Sequence, residues 1–238
     1  MNTSWIDRLA EGASIPDAER QRLESMILRR RAFEAGQMVL FEEEEAPMLY
    51  IIERGWSAAV RELVDGSVQV LDLFLPPQIM GLREVASDAA VSSYQALTDL
   101  DVALCRKADM QALIDDSASL TGPLFRMVAR EEAWLHERIT MLGQQSAAAS
   151  IAHLVLELAD RLAMGSGEPS VEVFDLPLNQ EQIGSIVGIT SVHVSRTLTQ
   201  LAQDGLIEMN EGSVRVLDRS RCEMLAEYEP RRMRLPSN

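Results

Sequence analysis

The chain has 238 residues, 47% of them apolar, and a formal net charge of −15, so it is long enough for two domains with buried cores. The acidic balance argues against general affinity for polyanions. Two cysteines, Cys105 and Cys222, are too few for a disulfide framework or the four thiolates of a cluster. No stretch approaches the roughly 20 apolar residues that span a bilayer, and the opening MNTSWIDRLAEG lacks the basic-then-apolar order of a secretory signal. The expectation is a protein of the reduced cytoplasm with no membrane partner.

Residues 1–30 read as helical and amphipathic, with IPDAERQRLESMILRR carrying apolar positions at helical spacing. From about Arg31 the period changes. The segment from Gln37 to Leu82 is a series of short β-rich runs punctuated by Pro47, Gly55, Asp65-Gly66, Pro76-Pro77 and Gly81. Asp-Gly between apolar runs signals a hairpin. Strands continue through Ser92–Arg106, and the count predicts a compact antiparallel roll or barrel. Glu42–Glu45 reads as a solvated loop or strand edge, with metal binding the alternative. Cys105 ends a strand and reads as a small buried hydrophobe, with a redox role the alternative.

ADMQALIDDSASL begins helical territory. Between Gly122-Pro123 and Gly143 apolar pairs recur every seven residues: Met127-Val128, Trp134-Leu135 and Met141-Leu142. Leu124, Phe125 and Ile139 widen the stripe. A sustained heptad predicts pairing with another helix, here a second copy of the same one. The expected seam is Leu124, Met127, Val128, Trp134, Leu135, Ile139 and Leu142, flanked by Glu131, Glu132 and Arg138; the alternative is packing within its own domain. A further helix runs from Ser146 to Ala163, MGSGEPS is a surface turn, and Val171–Leu178 reads as a short strand. His153 reads as a core or surface helix residue rather than a haem ligand.

Asn179, with Gln182 three residues on, forms a capping-box pattern ahead of a helix expected from about Gln180 to Val187. Gly188 permits a tight turn and Thr190 can cap a second helix, from about Ser191 to Gln203. Val194, Leu198 and Leu201 share one face of it; Ser191, Val192, Ser195, Arg196 and Thr199 share the other. Gly205 ends it, and LIEMNEGSVRVL forms a two-stranded wing turning at Asn210-Glu211-Gly212. This is a helix-turn-helix with a wing. A helix that enters a major groove needs small or hydrogen-bonding side chains outward, which Ser-Val-x-x-Ser-Arg supplies. His193, beside that face, is a candidate phosphate donor. Charge is lean: from Pro177 to Asp218 there are Arg196 and Arg215 against Glu181, Asp204, Glu208, Glu211 and Asp218. Basic residues resume at Arg219 and Arg221 and in the tail Arg231–Arg234, which either touches phosphates or is a solvated end.

LNQEQIGSIVGITSVHVSRTLTQLAQDGLI and GWSAAVRELVDGSVQVLDLFLPPQIMGL together resemble the cyclic-AMP receptor protein and fumarate–nitrate regulator (Crp/Fnr) family of bacterial transcription factors. The likeness covers nearly the whole chain in order. It implies an α+β architecture: an N-terminal antiparallel β-roll of the cyclic-nucleotide-binding type (1–118), a long dimerisation helix (119–144) and a C-terminal winged helix-turn-helix (145–238). It also implies a homodimer that binds a two-fold site in double-stranded DNA and contacts RNA polymerase. DNA contact falls on Thr190, Ser191, Val192, His193, Ser195, Arg196 and Thr199.

The departures from the family pattern are specific. Cyclic-AMP-binding members place a Gly-Glu pair and, about ten residues later, an Arg-Ser pair in the phosphate cassette. Here those positions read Gly81-Leu82 and Ser92-Ser93, and the pair that meets the adenine from the dimer helix reads Leu135-His136. A partly buried anionic phosphate needs a cation or several donors, so this is a degenerate ligand pocket and cyclic-AMP response is not expected. The effector is open. No cysteine precedes Cys105, so the iron–sulfur cluster of oxygen-sensing members is not expected either, and no cofactor or metal is. Many relatives carry a Glu where Val192 stands, while Arg196 keeps the guanine-reading position. No catalytic set is visible, so an enzyme is not expected. The rival to a DNA-binding regulator is an adaptor of the same fold that acts through protein contacts.

Overall fold

The computed structural model describes residues 5–10, 15–144, 146–168, 170–210 and 212–229. In chain order they form α1 (Trp5–Leu9), α2 (Asp17–Ser25), β1 (Ile27–Phe33), β2 (Met38–Leu40), β3 (Met48–Arg54), β4 (Ser57–Glu62), β5 (Val68–Phe74) and β6 (Ile79–Met80). After a 3₁₀ turn (Arg83–Ala86) come β7 (Ser93–Ala96), β8 (Leu100–Arg106), α3 (Lys107–Asp116), α4 (Ala118–Gln144) and α5 (Ala147–Ser166). The chain ends in β9 (Val173–Asp175), α6 (Gln180–Val187), α7 (Ser191–Gln203), β10 (Ile207–Asn210), β11 (Ser213–Val216) and α8 (Arg219–Ala226). Two compact units emerge: the described residues of Met1–Glu62 and Leu71–Glu131, and those of Leu63–Val70 and Glu132–Arg234. The division falls inside α4.

The first unit is the expected roll. Its two four-stranded sheets run β1-β8-β3-β6 and β2-β7-β4-β5, with β1·β8, β8·β3, β3·β6, β2·β7 and β7·β4 paired antiparallel. Strand periodicity of two sorts the core. On β3 and β8, Tyr50, Ile52, Val102 and Leu104 point between the sheets to Phe33, Phe74 and Tyr94. Their neighbours Leu49, Ile51, Ala103 and Cys105 point the other way, to Leu9, Leu23, Met110, Leu113, Leu120, Leu124 and Met127 of the helices. Each such Leu or Ile contributes about 1.5–3 kcal/mol by burial.

Three boundaries differ from the sequence expectation, each for a physical reason. Strand structure starts at Ile27 rather than Arg31. Among the described residues β1 is a sheet edge paired only with β8, and five of its seven residues are exposed, so it lacks the alternation that marks a half-buried strand. α4 begins at Ala118, ahead of the Gly122-Pro123 that opens the apolar repeat, though within one residue of the start at 119 that the family resemblance implied. A proline in the second turn removes one hydrogen bond; the burial of Leu120, Leu124 and Met127 and the hydroxyls of Ser117 and Ser119 on Glu19 hold the helix start regardless. α5 continues through Met164–Ser166 and closes at Gly167, whose φ of +74° is a left-handed cap.

In the second unit α5 is the central element. Ile151, Leu154, Val155 and Leu158 are buried along it, and Ile183, Ile186, Val194, Leu201 and Leu206 complete that unit's core. The wing gains a third strand: β11 pairs with β10 on one side and β9 on the other. Glu211, expected in the wing turn, and the Arg231–Arg234 tail lie outside the described residues.

Candidate nucleic-acid interface

The reading module is built by local chemistry. The Asn179 side chain accepts from the Gln182 backbone N–H at 2.8 Å, and the Gln182 side chain accepts from the Asn179 N–H at 2.9 Å. This reciprocal cap is worth about 0.5–2 kcal/mol. α6 ends at Gly188, with φ +75°. Its own Gly184 lets the turn close: a Cβ there would sit 2.4 Å from the Ile189 carbonyl oxygen. Thr190 then caps α7, its hydroxyl accepting from the His193 N–H at 3.3 Å. Both helices have the bounds expected from the sequence.

On α7 the buried side chains are Val194, Thr197 and Leu201, whereas Leu198, expected inside, is half-buried. Thr197 can go inward because its hydroxyl donates to the His193 carbonyl at 2.8 Å, which satisfies the polar atom locally. Leu198 instead lines a groove with Ser195, Thr199, Gln203, Glu208 and Asn210. The wing is legible in the sequence but this groove is not, because it depends on how β10 lies beside α7. Outward from α7 stand Val192 (59% exposed), His193, Arg196 and Thr199, with Ser191 and Ser195 half-buried. Arg196 has no ion-pair partner among the described residues. Arg219, by contrast, is bonded to Asp160 and Glu223 and serves the fold.

α4 carries two apolar faces where the sequence suggested one. Leu124, Met127, Trp134 and Met141 are buried against their own chain, which corrects the expected seam: Leu124, Met127 and Trp134 are already used. Phe125, Val128, Ile139 (66% exposed) and Leu142 are exposed, and Leu135 is half-buried. With Glu132 they fall at 125, 128, 132, 135, 139 and 142, alternating steps of three and four. The wide stripe concealed this split, because adjacent apolar residues at each repeat belong to different faces.

In the roll, Gly81 has φ +88° and Leu82 leads into the 3₁₀ turn. Ser92 is buried, and the Ser93 hydroxyl accepts from the Glu42 N–H at 2.9 Å. Glu84, missed in the sequence, is wholly buried and accepts from the Tyr94 hydroxyl at 2.9 Å and the Val91 N–H at 3.3 Å. Burial, with Glu84 beside it, holds the Tyr94 phenol well above its ordinary range. The one arginine of the turn, Arg83, is paired with Asp72. Leu135 and His136 belong to the second unit. Burial pushes the Cys105 and Cys222 thiols up to about 11, which leaves little thiolate near neutrality. His153 is buried against the Tyr228 ring, 5.1 Å between centroids, and burial lowers its pKa. Among the described residues no three His, Cys, Asp or Glu side chains gather as metal ligands, and no helix is long and apolar enough to cross a membrane.

A β-roll followed by a long helix and a capped helix-turn-helix with a wing defines a DNA-binding regulator on a cyclic-nucleotide-binding-type domain. Comparison agrees: residues 30–117 match the cyclic nucleotide-binding domain and residues 149–224 the Crp-like helix-turn-helix domain. The chain is 28% identical to the transcriptional regulatory protein btr of Bordetella pertussis, over 86% of this chain and 84% of that one. It is also 28% identical to the nitrogen fixation regulation protein FixK of Bradyrhizobium diazoefficiens, over 90% and 88%. The structure of FixK2 from Bradyrhizobium japonicum superposes with a TM-score of 0.74, covering 83% of this chain and 96% of that one at 23% identity. The protein belongs to the Crp/Fnr family of transcription regulators.

Proposed function

We propose that this regulator acts as a homodimer that reads a two-fold DNA site through α7 without depending on cyclic AMP. The division of labour follows the segments 1–118, 119–144 and 145–238: sensor-type roll, dimer helix and reading module. The observation that carries the reading is the outward face of α7, where Ser191, Val192, Ser195, Arg196 and Thr199 stand free of the module's core. In this reading His193, exposed at the start of the helix, donates to a phosphate, and Thr190, which caps the helix, belongs to the same contact. Pairing through the outward stripe of α4 presents two such faces, and half-site centres follow at about one helical turn. RNA polymerase is the expected partner once bound, in the cytoplasm. Selection of bound sequences from random duplex DNA tests this: enrichment of a two-fold site with a guanine in each half supports it, and no enrichment favours an adaptor acting through protein contacts.

Independence from cyclic AMP rests on the cassette chemistry. Leu82 and Ser92 supply no charge, and the guanidinium of Arg83 is held by Asp72. Glu84 adds a buried carboxyl group to the same turn. The cyclic phosphate lacks the cation its burial needs. Calorimetry should show no saturable binding of cyclic AMP below about 1 mM, a level equivalent to roughly −4 kcal/mol. Micromolar binding that tightens DNA affinity overturns this reading.

A further inference from the structure

The C-terminal half of α4 is joined to α5 by a buried charge cluster. Glu157 on α5, 1% exposed, accepts from Arg138 of α4 at 3.2 Å and from Arg161 at 2.9 Å. Both arginines are buried too, and the Arg161 guanidinium lies 4.6 Å from the centre of the Trp134 ring. Trp134 and Arg138 are one turn apart on α4, so both ends of the cluster grip the same helix. An independent contact lies a turn further on. Leu142 reaches the turn of the helix-turn-helix, where a Cβ on Gly188 would come within 2.8 Å of Leu142 Cδ2. All of these residues belong to the second unit.

Two arginines on one buried carboxylate are a costly means of adhesion, and apolar side chains of similar volume often hold as well or better. Hydrogen bonds and ring stacking add direction: they fix one crossing of α4 on α5, where an apolar contact tolerates slip. Leu142 against Gly188 repeats the constraint at the reading module itself.

We propose that Arg138, Glu157 and Arg161, with Trp134, are positioning residues that lock the reading module to the C-terminal half of the dimer helix and thereby set the spacing of half-sites the protein accepts. The proposal rests on the dimeric reading above. In a two-fold dimer a rotation of each module on its own α4 acts twice. One inserted base pair shifts a half-site by roughly 3.4 Å and by about a tenth of a turn, so a locked joint rejects it and a loosened joint absorbs it.

Arg138→Met tests this, because it leaves Glu157 paired with Arg161 and roughly preserves volume. Affinity is measured on duplexes with two half-sites at the preferred spacing, with one or two base pairs added or removed, and with one half-site alone. The wild type should lose at least about tenfold on a one-base-pair change. Arg138→Met should weaken binding at the preferred spacing, flatten the spacing profile to within about threefold, and leave single-half-site affinity and sedimentation unchanged. Arg138→Lys should restore part of the selectivity. A wild-type spacing profile in Arg138→Met overturns the proposal, and so does an equal loss on the single half-site, which would make the cluster a support of the module alone. If Arg138→Met does not fold, Arg138→Gln and Trp134→Phe are measured on the same duplexes by the same criteria. A wild type that prefers no two-site duplex overturns the dimeric reading, and this proposal with it, whatever the variants do.

Discussion

Replacing Arg196 by alanine should cost about 1–3 kcal/mol per half-site on the preferred DNA and relax the preference at one symmetric base pair. Arg196 is an exposed guanidinium on the outward face of α7, with no ion-pair partner among the described residues. A bidentate pair to guanine O6 and N7 is the contact such a group makes best in a major groove. The neighbouring position sharpens the result. Val192 can only pack on a thymine methyl, so Val192→Glu should move the preference there toward a base pair that offers a cytosine amino group. Few cations surround the site, since Arg219 is engaged by Asp160 and Glu223. The salt dependence of binding should therefore be shallow and non-specific affinity weak. Titration of Arg196→Ala, Val192→Glu and wild type against a half-site library at two salt concentrations reads all of these effects. If Arg196→Ala weakens every sequence equally, the residue meets phosphate and the base-reading role is wrong.

Sequence patterns set the reading module almost residue by residue, because its boundaries are local. The Asn179–Gln182 box, Gly188 and Thr190 each need only partners within three or four positions. The misses were tertiary. β1 is held by β8, some seventy residues away, and shows no alternation of its own. Thr197 replaces Leu198 inside because a local hydroxyl bond makes it burial-compatible. Glu84 was invisible as a buried carboxylate because its partner Tyr94 stands ten residues on, beyond an irregular turn. The two faces of α4 could not be separated in a heptad of adjacent apolar pairs; which member of each pair faces inward depends on what the rest of the chain places beside it.

That separation makes the dimer testable through a residue that the folded chain does not itself need. Ile139 is exposed on the outward stripe, so Ile139→Glu should change the melting temperature of an isolated subunit little, as surface substitutions typically stay within about 0.5 kcal/mol. In a paired seam the same change brings unpaired carboxylates from both subunits into a desolvated contact, a cost of about 3–5 kcal/mol or more. Sedimentation at micromolar concentration should show a wild-type dimer and an Ile139→Glu monomer. The variant should also lose affinity for the two-fold site while keeping that for an isolated half-site, because only the avidity of two linked modules is lost. Trp134→Glu is the contrasting change. It places a carboxylate in the buried space beneath Arg161, so it should lower stability whatever the oligomeric state. If Ile139→Glu remains dimeric and binds the two-fold site as the wild type does, the outward stripe is not the seam.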